Sequence, residues 1–250
     1  MNTVERFSNR VENYVKYRPD YPPEVLNLFR REMNLQNDSV VSDIGSGTGI
    51  SAKMFLENGN PVFGIEPNAA MRDAAAEFLR NFPHFKSVNG TAENTNLPDG
   101  SVDFVIAAQA FHWFDKTETL KEFTRILRAK GFVALMWNER QLDTNEFLRG
   151  YEKILIKFGT DYEKVRHDNL DEKLFTDFFK RDFRRETFQN AQTVDFDGLK
   201  GRILSSSYMP SETDESYEPL TNELQSLFAK HAESGKIQIL YNTNVFYARF

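Results

Sequence analysis

Three short stretches hold residue types that could do chemistry together. Residues 43–49 read DIGSGTG: Asp43 precedes Gly45, Gly47 and Gly49, which alternate with Ser46 and Thr48. A turn of this kind at a helix start presents free backbone N–H groups, which bind a carboxylate as readily as a phosphate. Glycine turns after strands also serve as plain punctuation, so the turn alone does not decide. Glu66, in GIEP, follows Gly45 by 21 residues. A carboxylate there accepts hydrogen bonds from both ribose hydroxyls and repels a 2'-phosphate. Its simpler use is as a charge near the helix start at Asn68, but strand end and spacing together favour a ribose. Residues 108–115 read AQAFHWFD. His112 has an intrinsic pKa suited to a general base; it could equally orient a loop or pack on Trp113. Trp113 and Phe114 pack at a strand end or wall a pocket for a cationic ligand.

These stretches need a scaffold. YPPEVLNLFRREMNL, residues 21–35, places prolines before apolar residues at helical spacing. SVVSDIG reads as a strand, SAKMFLENG as a helix ending at Gly59, and NPVFGIEP as a second strand. NAAMRDAAAEFLRNF is helical, with Asn68 as N-cap. FKSVNGTAEN holds a third strand and SVDFVIAAQA a fourth; KTETLKEFTRILRAKG is an amphipathic helix stopped by Gly131, and FVALMWN a fifth strand. Strand and helix alternate over about 38–138, and the strands are apolar runs. That is the pattern of a parallel sheet covered on both faces. Open sheets of this type bind ligands at the carboxyl edge, where all three stretches fall.

The second half is helical and rich in aromatic residues, with Phe147, Tyr151, Ile154, Leu155 and Phe158 followed by Phe175, Phe178 and Phe179. Following the fifth strand, 141–183 is expected to form a helical lid, although such a stripe also suits a core. RRETFQNAQTVD and IQILYNTNVFYARF read as two last strands that close the sheet as a hairpin.

Composition removes several classes. The chain has 250 residues, which suits one domain. It has no cysteine, so thiolate metal sites and cysteine nucleophiles are excluded, and its four histidines lack metal-ligand spacing. A net charge of -6 gives no general attraction to nucleic acid or anionic membrane. MNTVERFSNR is polar, without a signal-peptide core, and no apolar run is long enough to span a bilayer. A cytoplasmic chain is expected.

The glycines fall as G-x-G-x-G, with Ile50 where a dinucleotide fingerprint places its third glycine, and no phosphate-loop lysine follows. The loop GTAEN would edge an adenine ring with Thr91, Ala92 and Glu93. Tyr14, Tyr17 and Arg18, ahead of the first helix, are expected to fold over the cofactor, with Arg18 near a carboxylate.

DIGSGTG, GIEPNAAM, GTAENTNLPDGSVDFVIAAQAFHWFD and NYVKYRPDYPPEVL together resemble class I S-adenosylmethionine-dependent methyltransferases, in the small-molecule branch that includes trans-aconitate methyltransferase-like proteins. The likeness covers about 14–140. It implies a Rossmann-like, doubly wound, seven-stranded and mostly parallel sheet with an antiparallel last strand. It also implies that Asp43 and the turn Gly45, Ser46, Gly47, Thr48, Gly49 hold the methionine part of the cofactor, and Glu66 the ribose. Met71 would lie near the adenine face, Ala92 would offer its N–H to an adenine nitrogen, and Gln109 and Ala110 would flank the methionyl chain. Many relatives carry aspartate where this chain has Thr91, so Glu93 is the candidate for the adenine amino group. Tyr14, His112, Trp113 and Phe114 would face a small-molecule acceptor, with a carboxylate or hydroxyl as its nucleophile. The competing functions are a nicotinamide-dependent reductase, a nucleic-acid methyltransferase, and a binder of the cofactor without turnover. The first lacks its third glycine and a tyrosine followed four residues later by lysine. The second lacks an asparagine/aspartate-proline-proline-aromatic signature after the fourth strand.

Overall fold

The computed structural model describes residues 15–160, 162 and 172–250. Seven strands form one sheet in the order β3-β2-β1-β4-β5-β7-β6. They are β1 (Val41–Ile44), β2 (Val62–Ile65), β3 (Phe85–Val88), β4 (Val102–Ala108), β5 (Leu127–Arg140), β6 (Arg184–Val194) and β7 (Ile237–Arg249). β1 to β5 pair in parallel, whereas β7 runs antiparallel between β5 and β6. The order reverses between β1 and β4, which creates a crevice at their carboxyl ends.

Residues alternate between the two faces of the central strands, because successive side chains of a strand point oppositely. Phe104 and Ile106 of β4 join Ala134 and Met136 of β5 under α1 (Pro23–Met33) and α2 (Ile50–Glu57). α3 (Ala69–Phe78) follows β2. Val105 and Ala107 join Leu135 and Trp137 on the other face, covered by Phe123 and Ile126 of α4 (Lys116–Ile126). Both faces are apolar, so β4 and the middle of β5 read as near-continuous hydrophobic runs, VDFVIAA and FVALMW.

Two expectations change. α4 stops at Ile126, not Gly131: Leu127 is extended, with φ -70° and ψ 137°, and pairs with Val102 as the first residue of β5. The helical periodicity of Leu120, Phe123, Ile126 and Leu127 outlasts the helix because Leu127 is buried from a strand. The stretch 141–183 also divides. α6 (Glu172–Phe179) is core: Phe175 stacks on Phe246 with centroids 3.9 Å apart, and Phe178 meets Phe111 edge-on at 4.6 Å. α5 (Glu146–Phe158) instead packs with α7 (Phe196–Leu204) and α8 (Tyr217–His231) around Val194, Ile237, Ile239 and Tyr241. Those four residues lie where β6 and β7 run past the end of β4, so this third cluster sits beyond the carboxyl edge. Arg140, Glu152 and Tyr162 join β5 to it: Arg140 pairs with Glu152, and the Tyr162 hydroxyl donates to Glu152 at 2.7 Å.

Candidate functional site

The glycine turn leaves β1 and bends over the end of β2. The N–H groups of Gly45 and Ser46 donate to the Ile65 carbonyl at 2.8 and 3.1 Å. Gly45 sits at φ 67°, and a Cβ there would lie 2.6 Å from the Ala110 Cβ, with Phe114 just behind. Gly47, at φ 54°, has nothing within 4 Å of the Cβ position, so it borders open space. Its N–H donates to Glu66 Oε2 at 3.0 Å, while the Asn68 N–H donates to Oε1 at 2.9 Å. Asn68 caps α3 as expected, its side chain accepting from the buried Met71's N–H at 3.2 Å.

Asp43 lies wholly buried beneath the turn. Ser51, on the first turn of α2, donates to Oδ2 at 2.6 Å; Oδ1 has no partner. Burial pushes the Asp43 carboxyl up to about 7, against the pull of the Ser51 and Ala52 donors. Burial also raises Glu66, against the Asn68 and Gly47 N–H groups. Two adjacent strand tips thus carry carboxyls whose charge is costly without a cationic or donor-rich partner.

The loop after β3 is held from below. Glu122 of α4 accepts from the Thr95 N–H at 2.7 Å, from the Thr95 hydroxyl at 2.6 Å, and from Arg125 Nε and Nη2, each at 2.7 Å. Burial works against its charge, but Arg125 and Thr95 hold the Glu122 carboxyl down at about 2. Ala92 is buried and Thr91 exposed; Thr91 Oγ1 accepts from the Asn94 N–H at 3.2 Å. Glu93 Oε1 accepts from the Asp115 N–H at 2.9 Å, tying this loop to the start of α4.

At the end of β4, Gln109 adopts φ 59°. Its Nε2 donates to the Asn138 carbonyl at 3.1 Å, and its buried Oε1 has no partner. Ala110 and Phe111 are buried. Phe114 lies against the glycine turn at Gly45 but does not line the cleft described next. His112 packs on Trp113 with centroids 4.6 Å apart, and Trp113 is 40% exposed. Neither lines that cleft.

The segment before α1 crosses the carboxyl edge. The Tyr17 ring lies against Gly201 of α7, where a Cβ would come within 2.1 Å of it. Gln192 of β6 donates to the Tyr17 carbonyl at 2.9 Å, and Asn190 to that of Asp20 at 2.8 Å. Arg18 Nη2 donates to the Ser205 carbonyl at 3.2 Å. Beneath this strap is a cleft of about 50 Å³ lined by Arg18, Tyr21, residues 45–48, Gln109, Asn138 and Arg202. Tyr14 lies outside the described residues. A larger groove, about 540 Å³, runs between α1 and α2. Polar residues there pair with each other, Lys53 with Glu57 and Arg30 with Asn58, so we assign the chemistry to the smaller cleft.

The cleft therefore unites Arg18, the glycine turn and Gln109, with Asp43 and Glu66 behind them. Sequence reasoning missed Ser51, Glu122, Asn138 and Arg202. Asn138 had a signal, a polar residue ending a buried strand at the carboxyl edge; Arg202 had none. Among the described residues, no group of three or more acidic or histidine side chains could hold a metal ion, and no helix is long and apolar enough to cross a membrane.

Residues 42–135 match a family model described as a methyltransferase domain. The chain is 36% identical over 160 residues to an uncharacterized methyltransferase of Mycobacterium bovis, covering 64% of this chain and 61% of that protein. It covers 60% and 53% of the length of two Schizosaccharomyces pombe relatives, at 30% and 31% identity. The chain thus spans less than two thirds of the length of these curated relatives. Among solved structures, one from Anaeromyxobacter dehalogenans, provisionally named a type II methyltransferase, superposes with a TM-score of 0.69 at 19% identity. It covers 93% of this chain and 98% of its own. A Haemonchus contortus phosphoethanolamine N-methyltransferase, in complex with S-adenosylhomocysteine, gives 0.58 at 15% identity, covering 97% of this chain and 57% of its own. Residues 42–135, which hold the glycine turn and most of β1 to β5, thus match a methyltransferase domain, and the whole sheet shares its fold with solved methyltransferase structures.

Proposed function

We propose that this chain transfers a methyl group from S-adenosylmethionine to an oxygen, a carboxylate or hydroxyl, of a small-molecule acceptor. The carrying observation is the pairing of Glu66 with the Gly47 N–H beside open space at Gly47. That arrangement suits a ribose against the carboxylate and a ligand running along the turn. The unpartnered, buried Oδ1 of Asp43 and Oε1 of Gln109 suit the ammonium of an amino-acid moiety, and Arg18 suits its carboxylate. The match to a methyltransferase domain and the product bound in the Haemonchus enzyme support the same cofactor.

When bound, S-adenosylmethionine supplies an electrophilic methyl group on a good, neutral leaving group. The protein's task is then mainly alignment. The glycine turn, Glu66 and Gln109 fix one reactant, and the strap of Tyr17 and Arg18 keeps water out. A carboxylate acceptor needs no base; a hydroxyl acceptor would need one, and His112 is the candidate. The narrow cleft and the net charge of -6 favour a small molecule over nucleic acid. Purified protein incubated with methyl-labelled S-adenosylmethionine and a metabolite extract should yield a labelled small molecule. Cofactor binding with no labelled product from any extract would leave a binder without turnover.

A further inference from the structure

The cleft carries two guanidiniums, and the cofactor's amino-acid moiety has one carboxylate. Arg18 approaches from the strap. Arg202 approaches from α7, in the cluster beyond the strand ends. Arg202 Nε reaches the Tyr241 hydroxyl at 3.3 Å, and Nη1 reaches Ser206 Oγ at 3.4 Å. Both contacts are long, and both partners are hydroxyls. Among the described residues no carboxylate pairs with Arg202, whereas Arg140, in the same region, has Glu152. Nor does Tyr151 supply a counter-charge, since burial pushes its phenol up to about 12 and keeps it neutral. A guanidinium withdrawn from bulk water without an anion is costly, and one at the wall of a ligand cleft is matched when an anionic ligand arrives. Its fork of N–H groups suits a planar oxyanion in a two-point contact.

We infer that Arg202 is the recognition residue for a carboxylate on the methyl acceptor, with Arg18 serving the cofactor. A single spare positive charge matches a carboxylate better than a doubly charged phosphate ester. This inference rests on the methyltransferase reading above and names the acceptor class for that site. Arg202 binds and orients; no proton moves through it.

The test starts with S-adenosylhomocysteine titrated into wild type, Arg202→Met and Arg202→Lys. Wild type that does not bind it overturns both the methyltransferase reading and this inference. With S-adenosylhomocysteine bound, each protein is titrated calorimetrically with a panel of aliphatic and aromatic mono-, di- and tricarboxylic acids, the matching primary amides, and simple phosphate monoesters. The expected result is that at least one acid binds wild type and its amide does not. Arg202→Met should weaken that acid at least 30-fold while holding S-adenosylhomocysteine within twofold, which also reports an intact fold. Arg202→Lys should recover part of the loss. Four outcomes overturn the inference while leaving the methyltransferase reading in place. They are no acid binding to wild type, phosphate esters binding instead, acids binding Arg202→Met as tightly as wild type, or Arg202→Met and Arg202→Lys losing the cofactor product.

Discussion

The Glu66 carboxylate accepts the backbone N–H of Gly47 at 3.0 Å, joining the turn after β1 to the tip of β2. One bond thereby fixes the distance between the two features that would hold the two ends of a nucleoside amino acid. Glu66→Gln retains the shape but offers one carbonyl acceptor in place of two carboxylate oxygens. It should weaken S-adenosylhomocysteine about tenfold to a hundredfold, the scale of one or two charge-assisted hydrogen bonds. Isothermal titration measures this, and an unchanged Kd would remove Glu66 from the site.

Gly45 and Gly47 should fail in different ways. Both have positive φ, which costs an alanine about 1–2 kcal/mol. Alanine at Gly45 also drives its methyl into Ala110, 2.6 Å away, so Gly45→Ala should lower the melting temperature and abolish cofactor binding together. Alanine at Gly47 meets no protein atom. Gly47→Ala should fold with only the backbone cost yet bind the cofactor at least tenfold more weakly, because its methyl would project into the open space where the proposed ligand runs. Thermal unfolding paired with titration separates the two.

Asp43 makes the site sensitive to pH. Its folded pKa, about 7, lies above the usual carboxylate value of about 3.9. Between those values the folded protein holds a proton that the unfolded chain has released. Stability from this group therefore falls as pH rises through that window, by at most about 4 kcal/mol. A cationic cofactor favours the ionised form, so binding near neutral pH should release a proton. Below pH 7 affinity should rise by up to about tenfold per pH unit. Titrations in buffers of different ionisation enthalpy count that proton, and Asp43→Asn should abolish its release.

The close contact of Tyr17 with Gly201 helps hold the strap. Gly201→Val places methyls where the ring lies and should lift the segment. Ligand sites usually need about 300–1,000 Å³, so the 50 Å³ cleft requires some opening when a cofactor enters. A lifted strap should speed cofactor exchange and weaken its final grip about tenfold, both measurable by stopped-flow fluorescence. Unchanged rates and affinity would mean that the strap is not part of the gate.

Much of the site was legible because it is local. The turn from Asp43 to Gly49, the cap at Asn68 and the strand tip at Glu66 are each decided by a few neighbouring residues. The parallel, two-sided sheet followed from alternating apolar strands and helices, and the final hairpin from β-branched and aromatic residues in 237–249; the strand order did not. What sequence alone did not reveal depends on distant packing. Phe175, Phe178 and Phe179 have the spacing that a lid would have, and only the stack of Phe175 on Phe246 assigns them to the core. Arg202 reaches the cleft because α7 returns to the carboxyl edge opposite a strap about 180 residues earlier, as the Arg18–Ser205 bond shows. His112 lay in the chemically richest motif, yet it packs on Trp113 and does not line the cleft. With a carboxylate acceptor, His112→Ala should keep turnover within about threefold, since no proton must leave the nucleophile. A loss of a hundredfold or more would assign it the base role and point to a hydroxyl.

The most direct test is a side-by-side calorimetric titration of the purified chain with S-adenosylmethionine, S-adenosylhomocysteine and NAD. The account predicts saturable one-to-one binding of the first two, with Kd of order 1–100 μM, and no heat from the third. Tight binding of NAD with none of either sulfur nucleoside would contradict it.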